Sequence, residues 1–156
     1  MGTSNFELLE MAKTHNINNF VVCMNDELKT YKYPTNGYFI LNLQDSNHDG
    51  THWTCLVIKD NIPCYFDSYG GIYSEDVEKY IKKNYGKKCS FNAKIIQSFT
   101  SEECGIYCFA VILYIKSHPH LNILQSVNEY TNIFSDDPNN NDKILQKLMK
   151  ILQTKK

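Results

Sequence analysis

The spacing of hydrophobic and polar residues changes twice along the chain. Residues 6–12 repeat apolar side chains at helical spacing behind Thr3-Ser4-Asn5, which predicts a short, capped helix. The next segments are short, rich in aromatic and β-branched residues, and separated by clusters of Asn, Asp and Gly. This pattern predicts strands of an antiparallel sheet at residues 38–43, 53–58 and 62–66.

The second half of the chain returns to helical patterns. A Ser-Glu-Asp start predicts a helix over residues 74–85, and residues 93–96 form a further predicted strand. Residues 104–116 are apolar on nearly every face, which predicts a buried central helix, and residues 142–152 form an amphipathic closing helix after an Asn-rich loop. The predicted fold class is α+β, with a small mixed or antiparallel sheet packed with helices around the central buried helix.

Composition limits the classes of protein that fit. The 156 residues are enough for a single domain, residues 1–156, that folds without a metal or a disulfide. The formal net charge of -1 does not point to nucleic acid or an anionic membrane as an obligatory partner. Six cysteines without a C-x-x-C spacing predict reduced thiols in an intracellular compartment. We find no leader-like start and no apolar run of membrane length, so we expect a soluble protein.

Cys104 stands where a polar loop meets the apolar run of the central helix. The first turn of a helix carries partial positive charge and unsatisfied N–H groups, which stabilise both a thiolate and an oxyanion formed where the thiolate attacks. Cys104 is therefore a candidate nucleophile. The alternative is that it is only the first small residue of a buried helix, and Cys104 alone does not decide between the two.

A thiolate nucleophile needs a base, and His52 is the one histidine of the sequence that begins a predicted strand. If Lys59 and Ile62 flank a two-residue turn, Thr54 lies opposite Asp67, and His52 lies diagonal to Asp67 on the same face. A slip of one residue would put them on opposite faces. The pattern thus predicts a base and its orienting acid, although each residue alone also fits an ordinary strand histidine or turn carboxylate.

Three more residues complete the candidate site. Gln97 precedes Cys104 by seven residues, and its amide could donate to an oxyanion beside the Cys104 backbone N–H; taken alone it would be a solvent-facing loop amide. Trp53 follows the base and either walls a substrate cleft or anchors the core. Gly105 would let a substrate backbone come close to the helix. The spacing of the cysteines and histidines gives weak support for zinc, so we predict no metal site.

These motifs resemble the adenovirus-type (adenain-like) maturation proteases, whose relatives include virophage and large DNA transposon proteins. The resemblance covers most of the chain and rests on Gly-Thr-His-Trp at 50–53, Tyr-Phe-Asp-Ser-Tyr-Gly at 65–70, Gln97, and Glu-Cys-Gly-Ile-Tyr-Cys at 103–108. The wider clan of ubiquitin-like-protein proteases shares the order His, Asp, Gln, Cys. Adenoviral members carry a glutamate in the position of Asp67 and are longer than this chain.

The resemblance implies an adenain-like fold and a cysteine endopeptidase with His52, Asp67 and Cys104 as its triad and Gln97 in the oxyanion hole. It also implies that the partners are viral capsid and structural precursors, cut during virion maturation in the virion or the host cell interior. The sequence requires no cofactor and leaves open a peptide or DNA activator of the kind used in that family; the near-neutral charge weakens the case for DNA. We expect a monomer and no membrane partner.

Other functions are compatible with the same residues. A ubiquitin-like-protein protease would use the same four residues but needs a surface for a folded modifier, and an acyltransferase would pass the thioester to an amine or a hydroxyl. A non-enzymatic capsid-binding module would not need Cys104. The sequence does not decide among them, and it does not give the cleavage site or the host compartment.

Overall fold

The computed structural model describes residues 2–44, 52–86 and 89–154, so Gly50 and Thr51 of the first motif lie outside the described residues. The helices and strands follow the order α1 (Asn5–Thr14), β1 (Phe20–Met24), β2 (Gly37–Asn42), β3 (Trp53–Lys59), β4 (Ile62–Phe66), α2 (Glu75–Tyr85), β5 (Ser90–Phe91), α3 (Cys104–Ser117), α4 (Ile123–Ile133) and α5 (Asn141–Thr154). Short 3₁₀ helices occupy Asn25–Thr30 and Pro138–Asn140.

The five strands form one sheet in the order β1-β2-β3-β4-β5. The inner pairs are antiparallel, whereas β1 runs parallel to β2 and β5 runs parallel to β4. The sheet is therefore mixed, and the α+β fold class is confirmed. Side chains of one sheet face pack with α1, α3, α4 and α5, and those of the other face pack with α2 and the first 3₁₀ helix.

The β3-β4 hairpin has the predicted register. Lys59 pairs with Ile62, and the two turn residues, Asp60 and Asn61, have φ values of 53° and 64°. Such left-handed pairs form the type I′ turn, whose twist matches that of the flanking strands. Since this register continues to the far end of the hairpin, the residues just before β3 and just after β4 meet at one end of the sheet.

Helix α3 is the central helix that the apolar run predicts. Every side chain from Tyr107 to Ile115 is buried, because the sheet covers one side of the helix and α4 and α5 cover others. A helix that is apolar on all faces needs such surroundings. Its rigid packing holds the start of the helix, and with it Cys104, in a fixed place.

Residues 93–96 do not form the predicted strand. The N–H groups of Ile96 and Gln97 both donate to the single carbonyl of Ser68, at 2.9 Å and 3.1 Å. Because the chain turns after Ser68, no described strand continues alongside residues 93–96. The segment therefore forms no further row of strand-to-strand hydrogen bonds, although its sequence pattern favours an extended strand. The prediction failed because strand formation depends on a partner that local sequence does not show.

The sequence analysis also missed β1 and α4. Strand β1 pairs in parallel with β2, and a 3₁₀ helix lies between the two strands in the chain. A parallel pair has no tight hairpin turn, so no local sequence signal predicts this pairing. Helix α4 did carry a local signal, because Asn122 and Gln125 form a reciprocal capping box at its start. Within the described ranges, no helix is both long enough and apolar enough to span a membrane.

Candidate active site

His52 and Asp67 lie side by side at one end of the sheet. His52 immediately precedes β3 and Asp67 immediately follows β4, so the hairpin register brings the two together. The Nε2 atom of His52 is 2.7 Å from Oδ1 of Asp67, and the two residues are only 8% and 5% exposed. The predicted pairing of imidazole and carboxylate is thus present in the structure.

Asp67 is held from several directions. Its Oδ1 also accepts a hydrogen bond from the Tyr69 backbone N–H at 2.9 Å. The side chain of Asn92 brackets the Asp67 backbone: its oxygen accepts from the Asp67 N–H at 2.9 Å and its nitrogen donates to the Asp67 carbonyl at 2.7 Å. Sequence reasoning missed Asn92, because nothing local marks an asparagine that completes the end of a strand from a distant loop.

Gly71 adds a steric constraint on the same carboxylate. A Cβ atom at this position would lie 2.8 Å from Oδ2 of Asp67, closer than real Cβ contacts allow. Gly71 therefore leaves the space that the carboxylate occupies beside His52.

The Nε2 atom of the His52 ring faces the Asp67 carboxylate, and the Cys104 thiol lies near enough to the ring to affect its pKa. Burial lowers the pKa of His52, but the hydrogen bonds with Asp67 and Cys104 outweigh burial and raise that pKa from 6.5 to about 9. This favours the imidazolium at neutral pH. The ring also stacks on Tyr69, with centroids 4.6 Å apart.

Cys104 is the first residue of α3 and is buried. The backbone N–H of Trp53 donates to its Sγ at 3.4 Å, a contact that sequence reasoning missed. The backbone carbonyl of Trp53 accepts a hydrogen bond from the Cys108 thiol, with the oxygen and the sulfur 3.4 Å apart. No side chain caps the first turn of α3 at its N-cap residue, Glu103. A thiolate at Cys104 would thus gain the Trp53 N–H and the uncapped helix start.

The other five cysteines are buried packing residues. Burial raises the pKa of Cys23 to about 12 and raises those of Cys55, Cys64, Cys89 and Cys108 above the ordinary value of 9. All six cysteines are free of disulfides. Among the described cysteines, Cys104 is the one that raises the pKa of His52.

Gln97 is buried, with 1% of its surface exposed, so it is not the solvent-facing amide of the alternative interpretation. Its Oε1 accepts from the Ser68 hydroxyl, and its Nε2 donates to the Ser101 carbonyl at 3.0 Å. These partners fix the orientation of the amide, because exchanging its oxygen and nitrogen would place an acceptor against the Ser101 carbonyl. One of the two N–H bonds of Nε2 is used in this way.

Ser101 connects Gln97 to the last helix. Its hydroxyl donates to Oδ1 of Asp142 at 2.9 Å and accepts from the backbone N–H of Glu103 at 3.2 Å. Asp142 also accepts from the Tyr107 hydroxyl at 2.9 Å. The loop that leads into Cys104 is therefore tied to both α3 and α5.

Trp53 and Gly105 pack beside the thiol. The indole Nε1 donates to the Thr3 carbonyl at 2.8 Å, and the Trp53 side chain is half-buried. A Cβ atom on Gly105 would lie 3.1 Å from Cβ of Thr3 and 3.2 Å from Cδ1 of Trp53. This close packing is a structural reason for glycine at position 105. The roles of Trp53 and Gly105 in substrate binding stay predictions.

The other described histidines lie elsewhere. His15 packs its ring on Phe109, and His118 stacks on Tyr114 with His120 nearby. Across residues 2–44, 52–86 and 89–154, no group of three His, Cys, Asp or Glu side chains is arranged to hold a metal ion.

Neither a protein-family model nor a curated protein sequence matches this chain. Its structure is similar to the crystal structure of the selenomethionine ASFV pS273R protease, with a TM-score of 0.52 and 17% identity over 81% of this chain. A second crystal structure of that protease matches with a TM-score of 0.49 and 18% identity. The chain spans 61% of the length of the protein it matches. The chain therefore has the fold of this protease.

Proposed function

We propose that the chain is a cysteine endopeptidase in which Cys104 is the nucleophile, His52 the general base and acid, and Asp67 the residue that orients His52. The observation that carries this proposal is the buried His52 ring, whose Nε2 lies 2.7 Å from Oδ1 of Asp67 and whose pKa is raised by both Asp67 and Cys104. An imidazole that links a carboxylate to a thiol is the arrangement that activates a thiol for nucleophilic attack. The similarity in fold to a protease supports the same conclusion.

The raised pKa of His52 determines how the reaction starts. His52 is protonated at neutral pH and its positive charge would stabilise a thiolate, so the reactive form we propose is a thiolate-imidazolium pair. The Cys104 sulfur attacks the carbonyl carbon of a peptide bond, and the C–N bond breaks as His52 gives its proton to the departing nitrogen. Water then hydrolyses the thioester, with His52 accepting a proton from it.

Gln97 is proposed to stabilise the oxyanion. Its amide is fixed by Ser68 and Ser101, and the hydrogen bond to Ser101 leaves a second N–H on Nε2. Together with the Cys104 backbone N–H, this N–H would hold the charge that develops on the carbonyl oxygen. Donors that are fixed before the reaction contribute most, because they need not reorient as the charge forms.

The substrates proposed are viral capsid and structural precursors, cut during virion maturation in the virion or the host cell interior by a monomeric enzyme. This rests on the resemblance of the motifs at 50–53, 65–70 and 103–108, and of Gln97, to the adenain-like proteases. A peptide or DNA activator stays open for the same reason.

Co-expression with candidate viral structural precursors tests the proposal. We expect the wild type to cut the precursors and Cys104→Ala to leave them intact. Cys108→Ala is the matched control, because it removes a buried thiol one turn along the same helix and should keep the activity. An epoxide-type thiol inhibitor, followed by mass spectrometry of the labelled peptides, should modify Cys104 in preference to the other cysteines.

The alternatives give different results. Equal precursor patterns for the wild type and Cys104→Ala, with no preferential labelling of Cys104, would contradict an enzyme and favour the capsid-binding module. Cleavage of ubiquitin-like conjugates instead of precursors would identify a deconjugating protease. Acylated products after incubation with acetyl-CoA would identify an acyltransferase.

A further inference from the structure

A groove of about 500 Å³ opens beside Gln97, and its lining does not include His52, Asp67 or Cys104. Its apolar lining comes from Ala93, Ile95 and Phe99 in the segment around Gln97, and from Pro138 in the 3₁₀ helix before α5. Gln97 belongs both to this groove and to the proposed oxyanion hole. The groove therefore lies next to the proposed oxyanion donor.

Two large apolar side chains of the groove are left in contact with solvent. Phe99 is 92% exposed and Ile95 is 48% exposed. Exposed apolar side chains grouped along one groove are typical of a binding surface, whereas single ones are common on any protein.

A stack of rings links this groove to the base. Phe99 stacks on Tyr69 with centroids 6.1 Å apart and ring planes 24° apart, and Tyr69 stacks on His52. Phe99 thus lies at the outer end of a stack that begins on the imidazole.

The cation in the groove is already engaged. The Lys94 ammonium donates to the Phe134 carbonyl at 2.8 Å and lies 3.4 Å from Oδ1 of Asp136. Because its charge is balanced within the chain, the groove offers apolar contact rather than an unpaired charge. An uncharged, apolar side chain is the occupant that fits.

We propose that this groove binds an apolar side chain of the substrate on the C-terminal side of the cleaved bond, with Phe99 and Ile95 setting the preference. The inference rests on the proposed function. His52 gives its proton to the departing nitrogen, so the residues attached to that nitrogen leave past His52. The ring stack leads from His52 towards Phe99.

The test uses cleavage of a peptide mixture prepared by digesting a whole proteome, with the products sequenced by mass spectrometry. We expect the wild type to favour bonds with an apolar residue within the first two positions after the bond. Phe99→Ala and Ile95→Ala should each weaken this preference about tenfold, the scale of a lost apolar contact in a specificity pocket. The preference for residues before the bond should stay unchanged.

Ile151→Ala is the matched control, since Ile151 lies on α5 and is 54% exposed, close to the exposure of Ile95. It should keep the wild-type preference. Phe99 buries almost nothing, so its replacement should leave thermal unfolding unchanged.

The results separate this inference from the proposed function. If Cys104 is labelled and peptides are cut, but the apolar preference after the bond is missing or survives in Phe99→Ala, the groove assignment is wrong and the protease stands. If no peptide is cut and the epoxide does not label Cys104, both are wrong.

Discussion

The buried ring of His52 pairs with the carboxylate of Asp67, and Cys104 also affects its pKa. Burial alone would lower its pKa and keep the ring neutral. The hydrogen bonds with Asp67 and Cys104 reverse that tendency and raise the pKa to about 9. At the scale of single residues, the protonation state of His52 therefore depends on two neighbours that lie in different parts of the fold.

Replacing Asp67 by asparagine tests this balance. The amide would keep the shape of the side chain but remove the negative charge, so the pKa of His52 should fall. We expect the alkaline limit of the pH profile of kcat/KM, near pH 9 in the wild type, to move to lower pH, and kcat/KM at its optimum to drop at least about tenfold. An unchanged alkaline limit in Asp67→Asn would contradict the assigned role of the carboxylate.

Gln97→Glu tests the oxyanion donor. The substitution keeps the size of the side chain but removes both N–H bonds of the amide and places an acceptor near the Ser101 carbonyl and the developing oxyanion. Loss of one such donor lowers kcat by about 100-fold or more. Epoxide labelling of Cys104 should persist, because alkylation forms no tetrahedral intermediate at the carbonyl. Loss of labelling together with activity would point instead to a disrupted fold around the thiol.

At the scale of elements, the turn after β4 positions the acid. The Gly70 N–H donates to the Asp67 carbonyl at 2.8 Å, and Gly70 has a φ of 72°. A Cβ atom there would lie 2.6 Å from the Ala93 carbonyl oxygen. Glycine at this position thus allows the turn and the segment before Gln97 to pack together, so Asp67 and Gln97 share one local support.

Gly70→Ala and Gly86→Ala form a matched pair for this support. Gly86 ends α2 with a φ of 63°, and a Cβ atom there would meet no described atom within 4 Å, so alanine should cost about 1 kcal/mol from backbone strain alone. Gly70→Ala adds a clash with backbone, and we expect at least about 2 kcal/mol of lost stability together with lower kcat/KM. Chemical denaturation and peptide cleavage measure the two effects; equal losses in both variants would contradict the packing argument.

At the scale of the whole molecule, protonation of His52 links the site to folding. Its pKa is 6.5 without these neighbours and about 9 in the folded protein, so the folded state binds more protons between these values. This contribution to stability is fully present below about pH 6.5 and is lost as the pH rises through 9. The pKas of the buried cysteines are also raised, so their ionisation in the unfolded state lowers the free energy of unfolding further as the pH rises above 9.

We therefore expect the free energy of unfolding to fall between about pH 6.5 and pH 8.5, by about 1–3 kcal/mol. His52→Gln removes the titrating group and should flatten this dependence, whatever its effect on absolute stability. Urea denaturation at several pH values measures it. A wild-type stability that rises over this interval would show that the pKa of His52 is lowered, not raised.

Much of the site could be predicted from local signals. The Asp60-Asn61 turn and the alternation of strands 53–58 and 62–66 set the hairpin register, and that register alone placed His52 near Asp67. The abrupt start of the apolar run placed Cys104 at the first residue of α3. The predicted strand at 93–96 failed because strands need partners, and that segment finds only the Ser68 carbonyl.

By itself, the sequence determined several elements whose signals are local: the capped helices α1 and α2, the tight hairpin, and a helix too apolar to lie on a surface. Only the tertiary structure decided how α3 meets the sheet, which brings the Trp53 N–H to the Cys104 sulfur, and how the Gln97 amide is held by Ser68 and Ser101. The physical reason is the separation along the chain between the residues that interact. Turn and helix signals act over a few residues, whereas the contacts of Asn92 with Asp67 and of Trp53 with Cys104 join positions far apart in the chain. Such contacts form only when packing of the whole core fixes both partners.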